Sequence, residues 1–511
     1  MQLSVRLRAC GGPGVRQHQY CSSRPPVAAS SPGPVGPGSF SDRWPLRFSW
    51  RARVARLRVG FIQVVIVTAS STRGTSAPAP CVAGFDYGTS HCSIGLWRDG
   101  AVQMVPLQGE RTLVESTLYA PKADFQLELG EYAALDLTAA GYGSLRFGTA
   151  ALDAYLEDPT EGYFVKSPKS FLGAPGLAER VKERFISVVA AMMANVKTHA
   201  DHYAGRPVTH AVIGRPVNFQ GAGGEAENQQ ALSMLVAAAR EAGFEEVSFL
   251  FEPMAAALDY ESRLDSDQRV LVVDIGGGTT DCSFLEVGPQ RARQRDRNQD
   301  ILGHAGERLG GNDYDQLFGL HTVMPELGFG DELKSGLPIP NTYFVDALAV
   351  NDVNAQQRFY SRDSGERLDT YVRDALVPQR VVRLRRLRDG RSTYRLLRQI
   401  ELGKIMLSDQ DRARVDLAFL EPGLGVAANR AELQQSTGRL LAHLEALIGE
   451  VLAQAQVEPD AIYLTGGMAR STVVRDHLLR ICGDRPLVDS DHFAAVTAGL
   501  TLWAARHFSP S

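Results

Sequence analysis

From Val82 onward the apolar residues come in two rhythms. Short runs such as Ser93–Trp97, Val102–Val105, Val208–Ile213, Val247–Leu250, Val270–Val273 and Ala461–Thr465 read as strands, and the β-branched ones suit burial on both faces. Asp99-Gly100, between the first two, is a hairpin signal. Stretches with apolar residues three and four apart read as helices. Leu177–Ala200 carries Val181, Phe185, Val188, Val189 and Met192 at that spacing, and Glu225–Ala242 is stopped by Gly243. An alanine-rich helix follows Phe251-Glu252-Pro253 through Tyr260. Later helices are expected over Glu401–Ser408, 431–457, Val473–Ile481 and Thr497–His507. Strand and helix alternate, which indicates an α/β architecture. Phe164–Gly173, with two lysines and a proline, reads as a loop.

Two regions break the alternation. From about 325 to 430 the periodicity weakens, and eight arginines fall between Arg380 and Arg398; this reads as a helix-rich subdomain with a solvated basic face rather than a partner patch. Residues 1–81 are rich in Pro, Gly, Ser and Arg without any sustained period, and read as a disordered extension. Residues 1–80 hold eleven Arg and a single acid, Asp42, a charge of +10; the chain as a whole is −4, so the remaining 431 residues carry −14. The folded part is acidic, which argues against nucleic acid as its main partner. The extension is open to three readings: a start read upstream of the true one, a targeting segment, or a basic arm. The apolar run Val59–Val67 is too short to span a bilayer. Six scattered cysteines with no C-x-x-C pair fit a reducing, cytoplasmic setting.

The chemistry is concentrated in Arg269–Ser283, RVLVVDIGGGTTDCS. An apolar strand ends at Asp274; Gly276, Gly277 and Gly278 let backbone N–H groups close on an anion, and the hydroxyls of Thr279 and Thr280 add donors. A carboxylate beside a phosphate nest would repel the ligand unless a cation lay between them, so the pattern implies Mg²⁺ held through water. Nearly 190 residues earlier, FDYGTSHCS offers the same order: Asp86, a Gly88-Thr89 turn, then a strand. Aligned by residue type, Thr89-Ser90-His91-Cys92-Ser93 matches Thr279–Ser283, with two extra glycines in the later copy. Two such hairpins imply an internal duplication, each half presenting one turn to a shared cleft. Three other patterns carry less. Gly221-Ala222-Gly223-Gly224 fits a dinucleotide fingerprint but is separated from its strand; Gly403-Lys404 is followed by Ile405, so there is no P-loop; His199, Asp201 and His202 read as a solvated helix end.

Together with the late strand and turn Leu464-Thr465-Gly466-Gly467-Met468-Ala469-Arg470, the two hairpins resemble the actin-like ATPase superfamily. Within it the chain is most similar to the nucleotide-binding domain of the seventy-kilodalton heat-shock chaperones, the DnaK family, and closer still to YegD-type chaperone-like proteins. AVIGRPVNFQ, FEPMAAALDY, VKSPKSFLGA and LTGGMAR carry that likeness, which spans roughly residues 82–508. It implies an actin-like ATPase fold: lobe I over 82–265, lobe II over 266–486 with the helical subdomain at about 325–430, and a segment 487–511 whose helix returns to lobe I.

The resemblance also implies roles. Asp86 and Asp274 would stand on the waters of Mg²⁺; Gly88, Thr89, Ser90, Gly276, Gly277, Gly278 and Thr279 would cradle the β- and γ-phosphates of ATP. Lys169 would be the cation at the transferred phosphoryl group, with Lys166 the lesser candidate. Glu252 or Asp281 would orient the attacking water. Glu401, Lys404 and Ser408, on one helical face by their spacing, would meet ribose and adenine, and Gly466, Gly467 and Arg470 would close the other side of the adenosine. Ile405, Met468 and Phe493 depart from the family pattern around the base. The resemblance places the family's peptide-binding domain outside these 511 residues, so client binding would fall to the module itself or to a partner protein such as a co-chaperone. The expected function is a Mg²⁺-dependent, ATP-hydrolysing, chaperone-like module. The alternatives are a sugar-type small-molecule kinase of the same fold and a nucleotide-sensing scaffold with little turnover.

Overall fold

The computed structural model describes residues 80–121, 144–159, 161–219, 224–294, 297–489 and 494–508. The expected disordered extension therefore lies outside the described residues up to residue 79, as do Gly221–Gly223 and Phe493. Two sheets of the same design carry the fold. The first contains β1 (Val82–Tyr87), β2 (His91–Arg98), β3 (Ala101–Met104), β4 (His210–Arg215) and β5 (Glu246–Phe251) in the order 3-2-1-4-5, with Val114–Glu115 added on β2. The second contains β6 (Gln268–Ile275), β7 (Thr280–Val287), β8 (Ile301–Glu307), β9 (Ala461–Thr465) and β10 (Leu487–Asp489) in the order 8-7-6-9-10. In each, three strands form an antiparallel meander and the last two run parallel to the central one. Strands buried on both faces need continuous apolar runs, and Val270–Val273 is fully buried. Asp99 and Gly100 both have positive φ, 54° and 79°, as a two-residue primed hairpin turn requires.

Each sheet is covered by helices. The Glu252–Glu261 helix packs on β6 and β7 of the second sheet, and the Ala495–His507 helix packs on β1 and β2 of the first. The two helices also pack on each other, so Val212 and Leu250 of one lobe share a buried cluster with Val270, Val272 and Leu285 of the other. That junction leaves no room for side chains: a Cβ at Gly499 would stand 1.7 Å from the Ala255 carbonyl oxygen, and one at Gly84 2.1 Å from the Thr501 nitrogen. Because backbone cannot step aside, Gly499→Ala is expected to destabilise the protein by about 1–3 kcal/mol, read as a lowered urea midpoint with an unchanged slope.

Elsewhere the structure amends the pattern reading. The expected helix 431–457 is two, Arg430–Ser436 and Gly438–Ala455. The buried Thr437 between them turns its hydroxyl back to the Leu433 carbonyl at 2.7 Å, and Gly438 follows where helix propensity is weak. The expected loop Phe164–Gly173 begins as strand: Gly162–Lys166 pairs with Thr117–Pro121, a partner more than forty residues away that local periodicity cannot see. The eight arginines are not a free basic face. Arg380, Arg383, Arg385 and Arg398 pair with Asp331, Glu326 and Glu421, Asp389, and Glu401. Arg386 and Arg388 donate to carbonyl groups, and Arg391 and Arg395 lie over Tyr360 and Phe419. They bind the helical subdomain together. Among the described residues no helix is long and apolar enough to cross a membrane.

Candidate functional site

The two meanders point their first turns at one another. In β1–β2 Asp86 pairs with Ser93 and Tyr87 with Cys92; in β6–β7 Asp274 pairs with Asp281 and Ile275 with Thr280. The hairpins are therefore equal in length, which corrects the alignment by residue type: no glycines are inserted, Thr89 and Ser90 correspond to Gly277 and Gly278, and His91 corresponds to Thr279. The faces interlock, because a Cβ on Gly277 would meet the Ser90 hydroxyl at 1.8 Å and one on Gly278 the Thr89 methyl at 2.9 Å. The glycines let one turn approach the hydroxyls of the other. Behind the second turn stands the helix Gly311–Thr322, whose first N–H groups, from Gly311 and Asn312, donate to the carbonyls of Gly276 and Gly277.

Between the turns lies a cavity open to solvent. Of the residues expected at the site, it is lined by Asp86, Gly88, Thr89, Ser90, Glu252, Asp274, Gly276, Gly277, Thr279, Glu401, Lys404, Ser408, Gly466 and Gly467, with Ile405 and Met468. Lys169, Asp281 and Gly278 are not among the lining residues; Lys169 bonds to Glu252, and Asp281 pairs with Asp274 across the hairpin. Arg470 does not join them; it is largely exposed and lies 3.7 Å from Asp409. The sequence reading missed His91, Asn312 and Asp315, which also line the cavity. The helix start after Gly310-Gly311 marks the last two, and the corrected hairpin register marks the first.

Lys169 sits on a short turn, Pro168–Phe171, entered through Ser167 in a left-handed conformation with φ 56°. Ser116 ties that turn to the first hairpin: its N–H donates to the Ser90 carbonyl, its hydroxyl to the Gly88 carbonyl at 2.7 Å, and its own carbonyl accepts from the Ser167 N–H. The Lys169 ammonium donates to Glu252 at 2.6 Å, with both groups buried. Glu252 opens its helix directly after β5, so the strand end aims it into the cleft. Asp281 accepts from the Val217 N–H at 2.8 Å, which joins the segment after β4 to the second hairpin.

Four carboxylates thus surround one ammonium. Burial, reinforced by Glu252 and only partly relieved by Lys169, pushes Asp86 up to about 7; burial and Glu252 do the same for Asp281, and Asp274 is raised for the same reasons. Burial works against a charged Lys169, but Glu252, Asp86 and Asp281 outweigh it and hold the lysine protonated. The site carries excess negative charge that a hydrated divalent cation would relieve. Among the described residues no three His, Cys, Asp or Glu side chains are grouped to hold a metal directly. Two carboxylates without a full cage fit Mg²⁺, which keeps its waters and leans on phosphate oxygens. His199, Asp201 and His202 form no such group; Asp201 is taken up by Lys197 and the Val208 N–H.

At the far end of the cavity Lys404 is held by Asp315 at 2.9 Å and the Gly311 carbonyl at 3.1 Å. Burial would raise Glu401, but Lys166, Arg398 and Lys404 dominate and bring it down to about 2. Ile405 is half exposed at the cavity edge, while Met468 is buried in its wall.

Two duplicated lobes with facing Asp-Gly hairpins and a carboxylate-rich cleft define the actin-like ATPase fold. Sequence comparison narrows the class. Residues 178–325 match the family model for Hsp70 protein. Chaperone protein dnaK3 of Thermosynechococcus vestitus is 26% identical over 440 residues, covering 82% of this chain and 54% of that protein. Chaperone protein DnaK of Prochlorococcus marinus is 24% identical over 439 residues, covering 82% of this chain and 58% of that one. The chain spans little more than half the length of these relatives. With the fold, these matches support an Hsp70-family nucleotide-binding domain.

Proposed function

We propose that this domain binds ATP with Mg²⁺ and hydrolyses it, as a chaperone-type module whose lobe orientation is read by a client or co-chaperone protein in the cytoplasm. The observation that carries the reading is the facing pair of hairpin turns with Glu252 lining the cavity between them and Lys169 bonded to Glu252. Thr89, Ser90, Gly276, Gly277, Gly278 and Thr279 would cradle the β- and γ-phosphates, and Asp86 and Asp274 would orient the waters of the metal. Mg²⁺ supplies charge neutralisation between these carboxylates and the phosphates. Lys169 places its ammonium where charge gathers on the transferred group, since phosphoryl transfer is catalysed mainly by positioning and electrostatics. Glu252 lines the cavity, whereas Asp281 is turned to Val217; this favours Glu252 as the group that orients water and gives Asp281 the task of holding the lobe junction. Glu401, Lys404 and Ser408 face Gly466 and Gly467 across the cavity and would take the nucleoside. The narrower kinship with YegD-type proteins belongs to the same proposal.

The test is phosphate release from ATP by the full chain with Mg²⁺, with and without a panel of sugars. Release without sugar supports hydrolysis, ADP production only with sugar would make the protein a kinase, and binding without release would make it a scaffold. Asp274→Asn is expected to keep the fold and lose most Mg²⁺-dependent turnover, about 10²-fold or more; an unaltered rate would remove Asp274 from the metal site.

A further inference from the structure

Another cavity shares no lining residue with the one between the hairpins. Tyr155, Tyr163 and Phe164 of the first lobe line it together with Tyr360, Arg391 and Tyr394 of the helical subdomain. Tyr155 and Phe164 are stacked, with ring centroids 4.7 Å apart, and Tyr394 meets them nearly at right angles, at 5.5 and 4.9 Å. The neutral polar groups beside these rings are engaged. The Thr393 hydroxyl donates to the Gln356 side chain at 3.2 Å and stands 2.8 Å from the Tyr360 hydroxyl, while the Gln356 amide donates to the Asp346 carbonyl at 2.7 Å. Arg391 differs from them. It is exposed, its guanidinium lies 5.3 Å from the centre of the Tyr360 ring, and among the described residues no carboxylate pairs with it. Its backbone is left-handed, with φ 46°, although Gly390, which could take that conformation without cost, precedes it at φ −78°. The Tyr155 hydroxyl donates to the Arg391 carbonyl and so ties this strained residue to the first lobe. Strain retained at a solvent-reachable cation beside an aromatic wall points to a use for that cation.

We propose that this cavity binds a small planar aromatic carboxylate, with its ring against the tyrosine and phenylalanine wall and its carboxylate on the Arg391 guanidinium. Aromatic rings take a planar guest by offset or edge contact, and the guanidinium fork matches the two oxygens of a carboxylate. A cationic guest is disfavoured, because Arg391 already stands over Tyr360. The inference does not depend on what the hairpin cleft binds, since the two cavities have no lining residue in common.

Calorimetry on the full chain tests this with indole-3-acetate as the probe, with saturating ADP and Mg²⁺ present to keep the probe out of the hairpin cleft. Its uncharged amide and cyclohexylacetate, which lacks the planar ring, are the controls. Wild type should bind indole-3-acetate at least about tenfold more tightly than either control. Arg391→Gln should weaken indole-3-acetate about tenfold or more and leave the amide unchanged, because only the charged contact is lost. Arg391→Gly is the folding control: glycine accepts the left-handed backbone, so a urea midpoint close to wild type together with the same loss of binding would assign the effect to the guanidinium. Absence of binding by wild type, equal affinity for the acid and its amide, or undiminished binding in Arg391→Gln would each overturn the proposal.

Discussion

Lys169→Ala is expected to abolish all but about 10⁻² to 10⁻³ of the ATP turnover proposed above while leaving a folded protein. The ammonium is buried, 2.6 Å from Glu252, and is the cation that Asp86, Asp274 and Asp281 all share. Removing it would strand four carboxylates, but Asp86 and Asp281 already sit near pH 7 and would answer by taking up protons. The fold is thereby spared, and the cost appears as weaker metal binding and lost stabilisation of the transferred phosphoryl group. The measurements are steady-state phosphate release and the Mg²⁺ dependence of nucleotide affinity. A wild-type rate in this variant would show that the essential cation is not Lys169, and Lys166 would be examined next.

Arg297→Met should be the most destabilising single change, costing about 3–5 kcal/mol. Arg297 is 1% exposed and grips Glu261 with both terminal nitrogens, at 2.7 and 3.0 Å, while its Nε bonds Asp300. Asp300 keeps Arg291 at 3.3 Å, but among the described residues Glu261 is left with the Gly288 N–H at 3.0 Å alone, so a buried carboxylate loses its counter-charge. Glu261 ends the helix that Glu252 begins, which makes this buried pair the anchor behind the cleft. Urea unfolding should show the loss, and Glu261→Gln added to Arg297→Met should restore part of it by removing the orphaned charge. If the single variant is as stable as wild type, Arg297 is not the counter-charge that Glu261 requires.

The parts of the fold legible in the sequence were those whose pattern is local. Val270–Val273 had to be a buried strand, Gly243 had to end a helix, and its φ of +95° shows why glycine stands there. The site was legible where chemistry is crowded into a few residues, as around Asp274 and Asp86. Alignment by residue type nevertheless misled across the two hairpins, because matching threonines outweighed turn length, and turn length is what strand pairing obeys. His91, Asn312 and Asp315 escaped because their place in the cleft depends on how elements meet. The arginine-rich segment was legible as helical and partly solvated, with Arg386, Arg391 and Arg395 exposed, but the ion pairs of Arg380 and Arg383 were not, because their partners Asp331, Glu326 and Glu421 lie on other elements.

The close seat of the Ala495–His507 helix has a consequence for synthesis. Ser93 meets Thr497 at 2.5 Å, and Gly84 lies against the backbone of Thr501, so the sheet that carries Asp86 is covered by a segment some 400 residues downstream. A ribosome that has completed the second hairpin still holds a first lobe with one bare apolar face. The cleft between the hairpins should therefore be complete only after the Ala495–His507 helix emerges, and nascent chains that stop short of about residue 508 should depend on holding factors that later become dispensable.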